Sequence, residues 1–181
     1  MYYVIQVKTG KENTTIDAIK RQFTISGSLG DFDVFSPYKK VLKKFKGGEM
    51  KEVTERCFPG YVFVETDKPT KLFHELYWVP EFTRLLGREG LTNNFVALNE
   101  VESRIVDILY SSNSNRITQI SDIEVKEGQL VKVLDGPLLG LISRIKKVNL
   151  HKRIVIVEFM FAGQLVTTSV GINIVTPVDK K

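Results

Sequence analysis

The chain has 181 residues, 43% hydrophobic and 26% charged, with a formal net charge of +5, values ordinary for a soluble folded protein of one large domain or two small ones. A single cysteine, Cys57, excludes an intramolecular disulfide and any cysteine-based zinc site, and the apolar runs (Tyr61–Val64, Ile154–Val157) are strand-sized, too short for a membrane helix. The opening MYYVIQVKTG lacks a basic region followed by a long apolar stretch, so a cytoplasmic protein is expected.

Tyr2–Lys8 is β-branched and aromatic and reads as a strand ending at Thr9-Gly10. Ile16, Ile19 and Phe23 then recur on one helical face, with Lys11, Glu12, Lys20 and Arg21 elsewhere. Asp33–Phe45 reads as extended, and Gly47-Gly48 suits a hairpin turn back through Lys51–Val53. The five lysines of Tyr38–Lys46 (YKKVLKKFK) read first as guards on a sheet edge and second as phosphate contacts. Phe58–Glu65 is a strongly apolar strand, and Pro69–Tyr77 a short helix that stops before Pro80. Asn99–Leu109 is a helix with Asn99 as N-cap and Glu102 completing a capping box. Residues 1–110 therefore read as an α+β domain, an antiparallel sheet flanked by helices.

Residues 111–122 (SSNSNRITQISD) read as a flexible linker, because Ser, Asn, Thr and Asp bury too little apolar surface. Residues 123–181 read as a small all-β barrel, with strands at Gln129–Leu134, Leu141–Val148, Ile154–Phe161 and Leu165–Ser169. Charge is uneven along this plan. Residues 1–110 carry 16 Lys/Arg against 15 Asp/Glu, residues 111–122 one of each, and residues 123–181 nine against five. Arg144–Arg153 (RIKKVNLHKR) holds five basic residues and no acidic one, the footprint of a polyanion partner or, equally, of a solvated hairpin.

Signals for catalysis are missing. Gly136 and Gly140 lack the Lys-Ser/Thr of a phosphate loop, no G-x-S-x-G is present, and the two histidines, His74 and His151, stand far apart without ligand-like spacing. A binding module without metal or cofactor is expected rather than an enzyme.

Two segments carry a family resemblance. Met1–Gly10 followed by Cys57-Phe58-Pro59-Gly60-Tyr61-Val62-Phe63-Val64 resembles the amino-terminal (NGN) domain of NusG proteins, whose strand carries an F-P-G-Y-hydrophobic signature. Glu127–Pro137 (EGQLVKVLDGP) is similar to the opening of a KOW domain. Together, in this order, they span most of the chain. The resemblance implies an elongation factor whose NGN domain rides on the clamp helices of the largest RNA polymerase subunit and whose SH3-like KOW barrel recruits a further partner. It departs from general NusG proteins at Leu138–Ile142, where a Phe and a later Asn or Thr before Gly are usual, and at Phe161-Ala162-Gly163-Gln164, where F-G-R is usual. The connecting hairpin, commonly acidic, is basic here. These departures resemble the specialised paralogue LoaP, an RNA-recognising antitermination factor; the alternative is a housekeeping NusG whose barrel is a protein adaptor for Rho or the ribosome.

The resemblance places polymerase contacts at Gln6, Tyr61, Phe63, Phe82 and Leu85, and contacts to the displaced non-template DNA strand at Lys8 and Arg21. In the strand register Tyr61 and Phe63 share a face, as do Tyr2, Val4 and Gln6, so one sheet face would pack on helices and the other offer an apolar patch. In the barrel, Arg144 and Lys146 would alternate along a strand, with Lys147, His151, Lys152 and Arg153 following round the turn of a projecting hairpin. Such a hairpin suits an irregular RNA stem-loop in the nascent transcript, because regular A-form RNA hides its base edges in a deep, narrow groove. A monomer is expected, with no membrane partner.

Overall fold

The computed structural model describes residues 1–80, 95–110, 115–125, 131–161 and 163–175. The chain divides into two compact units, Met1–Pro37 with Phe58–Ser103, and Tyr38–Cys57 with Arg104–Lys181. The partition is therefore not linear, because the lysine-rich hairpin groups with the C-terminal strands. No helix among the described residues is long and apolar enough to cross a membrane.

The first unit is built on a four-stranded antiparallel sheet. Its strands are β1 (Tyr2–Gln6), β2 (Asp33–Phe35), β5 (Tyr61–Glu65) and β6 (Phe95–Ala97), in the order β2-β5-β1-β6. The register sets Tyr3 opposite Val64 and Ile5 opposite Val62, so these four share one face. Helices α1 (Glu12–Ile25) and α2 (Pro69–Tyr77) cover that face, with Ile19 and Phe23 of α1 and Leu72 and Leu76 of α2 buried one turn apart. Pro69 begins α2, where the missing N–H costs nothing.

Helix α3 (Glu100–Tyr110) opens on the expected capping box. The Glu102 backbone N–H donates to Asn99 Oδ1, and the Asn99 N–H to Glu102 Oε2, each at 2.9 Å.

The Phe58-Pro59-Gly60 segment is a turn rather than the start of the expected strand, and it shows why glycine follows the proline. Gly60 has φ +85, and a Cβ there would stand 3.2 Å from Thr9 Oγ1 and 3.3 Å from the Val7 carbonyl oxygen. Its N–H donates to the buried Glu12 carboxylate at 2.7 Å, and its carbonyl accepts the Val7 N–H at 2.8 Å. One turn thus joins the start of β5, the end of β1 and the first turn of α1.

The second unit holds two sheets. Strands β3 (Tyr38–Lys44), β4 (Met50–Arg56) and β7 (Ile117–Thr118) form one, in the order β4-β3-β7. The other contains β8 (Ser121–Val125), β9 (Val131–Asp135), β10 (Ile145–Asn149), β11 (Ile154–Phe161) and β12 (Gln164–Ile174), in the order β10-β11-β12-β8-β9. Alternate residues of β11, namely Val155, Val157, Phe159 and Phe161, are buried, as a one-sided strand requires.

The two sheets meet where β12 crosses β3. A Cβ on Gly171 would lie 2.4 Å from the Lys40 carbonyl oxygen and 3.0 Å from the Val41 Cα. Lys39 is buried there, its ammonium donating to Ser169 Oγ at 2.6 Å. Thr168 Oγ1 donates to the Cys57 carbonyl oxygen at 2.7 Å and lies 3.5 Å from Cys57 Sγ. Burial pushes the neighbouring Tyr110 phenol well above its ordinary pKa.

Three expectations change. Lys39 does not guard an edge, because β7 pairs with β3 at Tyr38 and Lys39 and the side chain is buried; further along β3, Lys40 pairs with Glu52 and Lys43 with Glu55. Residues 117–122, expected within the linker, form β7 and the start of β8. Buried Thr118 lies 3.9 Å from Cys57 Sγ, and buried Ser121 accepts the Leu138 N–H, so polar composition there reflects partnered hydroxyls. Residues 111–114 of that segment lie outside the described residues. Finally, Pro137–Arg144 is a 3-10 helix, so the strand expected from Leu141 begins only at Ile145.

Substituting Gly60→Ala forces a side chain into a left-handed backbone against two oxygen atoms. It is expected to destabilise the first unit by about 1–3 kcal/mol, read as a lowered urea midpoint.

Candidate nucleic-acid interface

The sheet face opposite the helices carries Tyr2, Val4, Gln6, Tyr61 and Phe63, because Val4 pairs with Phe63 and Gln6 with Tyr61. Little of it is the exposed apolar patch expected from the register. Phe63 is fully buried, its ring 5.7 Å from those of Phe35 and of Phe58, and Tyr2 and Val4 are buried too. Aromatic rings from β2, β5 and the Phe58 turn fill this side, a layer that strand alternation alone does not reveal. Of the expected polymerase-binding residues, Gln6 is exposed and Tyr61 half-buried, side by side at one end of the face. Phe63 lies two residues further along the same face, paired with Val4. Phe82 and Leu85 lie outside the described residues. Lys8 follows β1 and Arg21 sits on α1, both exposed.

The basic segment has a defined shape. Arg144 ends the 3-10 helix and so does not alternate with Lys146 along a strand. The register of β10 with β11 shifts between Ile145 and Lys147, leaving Lys146 as the extra residue. That irregularity exposes Lys146 and Lys147 consecutively, where regular pleating would turn one inward. Round the turn, Asn149 Oδ1 accepts the Lys152 N–H at 2.9 Å, and Arg153 adopts φ +54, a conformation disfavoured for side-chain-bearing residues. The Arg153 carbonyl accepts the Ile172 N–H at 2.9 Å, which ties the turn to β12.

The cluster lacks an acid in sequence but gains one in space: Lys146 pairs with Glu158 on β11. Lys147, His151 and Lys152 are exposed, and no ion pair among the described residues engages their side chains. His151 and Lys152 also face a groove of about 340 Å³ whose other wall is the β3–β4 hairpin, so the turn does not project freely as expected. Sequence reasoning did not join these two basic segments; they are separated by about a hundred residues.

The charge arithmetic sharpens when it follows the compact units. The first unit carries 8 Lys/Arg against 11 Asp/Glu, a net of −3, and the second 18 against 10, a net of +8. The hairpin segment Tyr38–Cys57 alone contributes seven against three. The second unit is therefore the cationic one, and the hairpin supplies half of its surplus.

The different burial of Tyr61 and Phe63 separates their roles. Phe63→Ala is expected to cost about 3–5 kcal/mol of stability, as for other buried phenylalanines. Tyr61→Ala should cost no more than about 1 kcal/mol, both measured by urea unfolding.

Among known proteins, residues 1–128 match the family model described as transcription termination factor nusG. The chain is 24% identical over 151 residues to the transcription termination/antitermination protein NusG of Streptococcus pyogenes serotype M3, covering 83% of this chain and 82% of that one. The corresponding Helicobacter pylori protein is 25% identical over 154 residues, covering 84% of each. A solved structure described as domain interaction in Thermotoga maritima NusG superposes with a TM-score of 0.51 at 18% identity, covering 94% of this chain and 92% of that one, a likeness of fold. With well over half of its residues matched by the family model, this chain belongs to the NusG family of transcription termination/antitermination factors.

Proposed function

We propose that this chain is a processive antitermination factor of the LoaP type. In this reading it holds RNA polymerase at the clamp helices of the largest subunit through Gln6 and Tyr61, and a structured nascent RNA through Arg144, Lys146, Lys147, His151, Lys152 and Arg153. The observation that carries the RNA half is the exposed cationic turn between β10 and β11 within a unit of net charge +8. Lysines there would set position and affinity, while the guanidinium of Arg144 or Arg153 has the forked geometry for a guanine edge or a phosphate. Holding both partners on one chain raises the local concentration of each at a single transcript.

The resemblance at Glu127–Pro137 supports a KOW barrel over residues 123–181 as the RNA-binding module, and that at Met1–Gly10 and Cys57–Val64 an NGN domain over residues 1–110 as the polymerase-binding one. Phe82 and Leu85 extend the polymerase surface in this reading, with Phe63 acting indirectly through the aromatic core of the same face. Lys8 and Arg21 are the proposed contacts to non-template DNA.

A second reading has its own observation. Leu139 and Ile142 of the 3-10 helix are 49% and 55% exposed. Apolar side chains held outward on a short rigid element favour a protein partner, as in a housekeeping NusG that adapts to Rho or the ribosome.

Titrating the full-length protein with leader-derived stem-loops across salt separates the readings. Six phosphate contacts give a log–log slope of about −4 to −5. With Lys146 held by Glu158 in the unsubstituted protein, the slope is expected to fall short of the six-contact value by about 0.7–0.9, and Glu158→Gln is expected to tighten RNA binding and restore it. Equal affinity for every hairpin, or no change on Arg144→Glu, removes RNA specificity. Capture of Rho or a ribosomal protein that is lost on Leu139→Ser/Ile142→Ser favours the adaptor. On the polymerase side, Tyr61→Ala is expected to abolish co-purification with RNA polymerase while the protein stays folded.

A further inference from the structure

We propose that the β3–β4 hairpin is part of the RNA site: the phosphodiester backbone passes through the groove between Lys43-Lys44 and His151-Lys152, touching both walls. This rests on the RNA-binding reading above and extends it to residues outside the C-terminal strands.

The groove, about 340 Å³, is lined by cations on both sides and floored by Val41 and Ile154. Its walls are held in register by the backbone approach of Gly171 to Lys40 and by the Lys39–Ser169 hydrogen bond, with Ser169 itself lining the groove. The one acid in the lining, Glu55, is engaged by Lys43. Lys44 and Lys152 are exposed from opposite walls, and neither has an ion pair among the described residues. Two such ammonium groups repel one another across a shared trough, and each is stabilised when a phosphate enters between them. An apolar floor beneath them accommodates ribose and base surface, while the flanking charges take the backbone.

Charge-removing substitutions test this without disturbing the fold, because both side chains lie in solvent. The full-length protein is titrated with a fluorescent leader stem-loop across potassium chloride. Lys44→Gln and Lys152→Gln are each expected to weaken binding about five-fold at 0.1 M salt and to flatten the log–log slope by about 0.7–0.9, with the double variant flattening it by about twice that. Lys20→Gln, on the exposed face of α1, should change neither. An unchanged affinity and slope for Lys44→Gln, with Lys152→Gln still weakened, overturns the two-walled site and leaves the RNA reading standing. Absence of binding by the unsubstituted protein to any stem-loop overturns both.

A second measurement uses the burial of the sole cysteine, 1% exposed. Lys44→Cys and Lys152→Cys each introduce the one accessible thiol for a short photocrosslinker. The proposal expects adducts from both positions on neighbouring nucleotides of one RNA. Adducts from position 152 alone overturn it.

Discussion

The close backbone approach of β12 to β3 is the constraint on which the second unit depends. At Gly171 no Cβ is tolerated, and the gap is closed on either side by side-chain bonds, Lys39 to Ser169 and Thr168 to the Cys57 carbonyl. Each bond joins the hairpin to a strand more than a hundred residues later. A buried ammonium and a buried cysteine backbone carbonyl are costly unless partnered, so each bond favours this register over a slipped one. The crossing seats a segment from the first third of the chain, with seven of the unit's eighteen cations, in one body with the C-terminal strands.

That seating changes the electrostatic picture. Counted linearly, the first 110 residues are almost neutral, because the cationic hairpin is averaged with an acidic remainder. Counted by compact unit, one body is acidic and the other strongly basic. Long-range fields follow the spatial grouping of charge, so the positive potential is a property of the second unit as a whole. The first unit, of opposite sign, has a different kind of surface: a polar and half-aromatic end at Gln6 and Tyr61, on the same face as the buried Phe63.

The family signature has a mechanical explanation in this chain. Phe58 is buried against Phe63, Pro59 leads into the turn, and Gly60 supplies the positive φ and the space that the Thr9 hydroxyl and the Val7 carbonyl require. Its N–H is taken by a carboxylate from the first turn of α1. The motif is therefore a junction of three elements, and its position directly before Tyr61 fixes where that side chain stands at the sheet end.

Local chemistry made much of this legible in the sequence. The α1 face of Ile19 and Phe23, the Pro69 start of α2, the Asn99–Glu102 box and the alternation of β11 each depend on residues a few positions apart, and each appears where the spacing puts it. The Gly47-Gly48 turn is likewise local, both glycines having positive φ. Long-range partnership decided the rest. Phe63 is core because Phe35 arrives from β2 to stack on it, Lys39 is covered because β7 pairs with the start of β3, and Lys146 is neutralised by Glu158 across a strand register. The same holds for the groove: composition showed two basic segments, and only the crossing at Gly171 puts them on facing walls. Sequence spacing specifies which way a side chain points along its own strand or helix, whereas what it meets there is set by which other elements the folded chain brings against it.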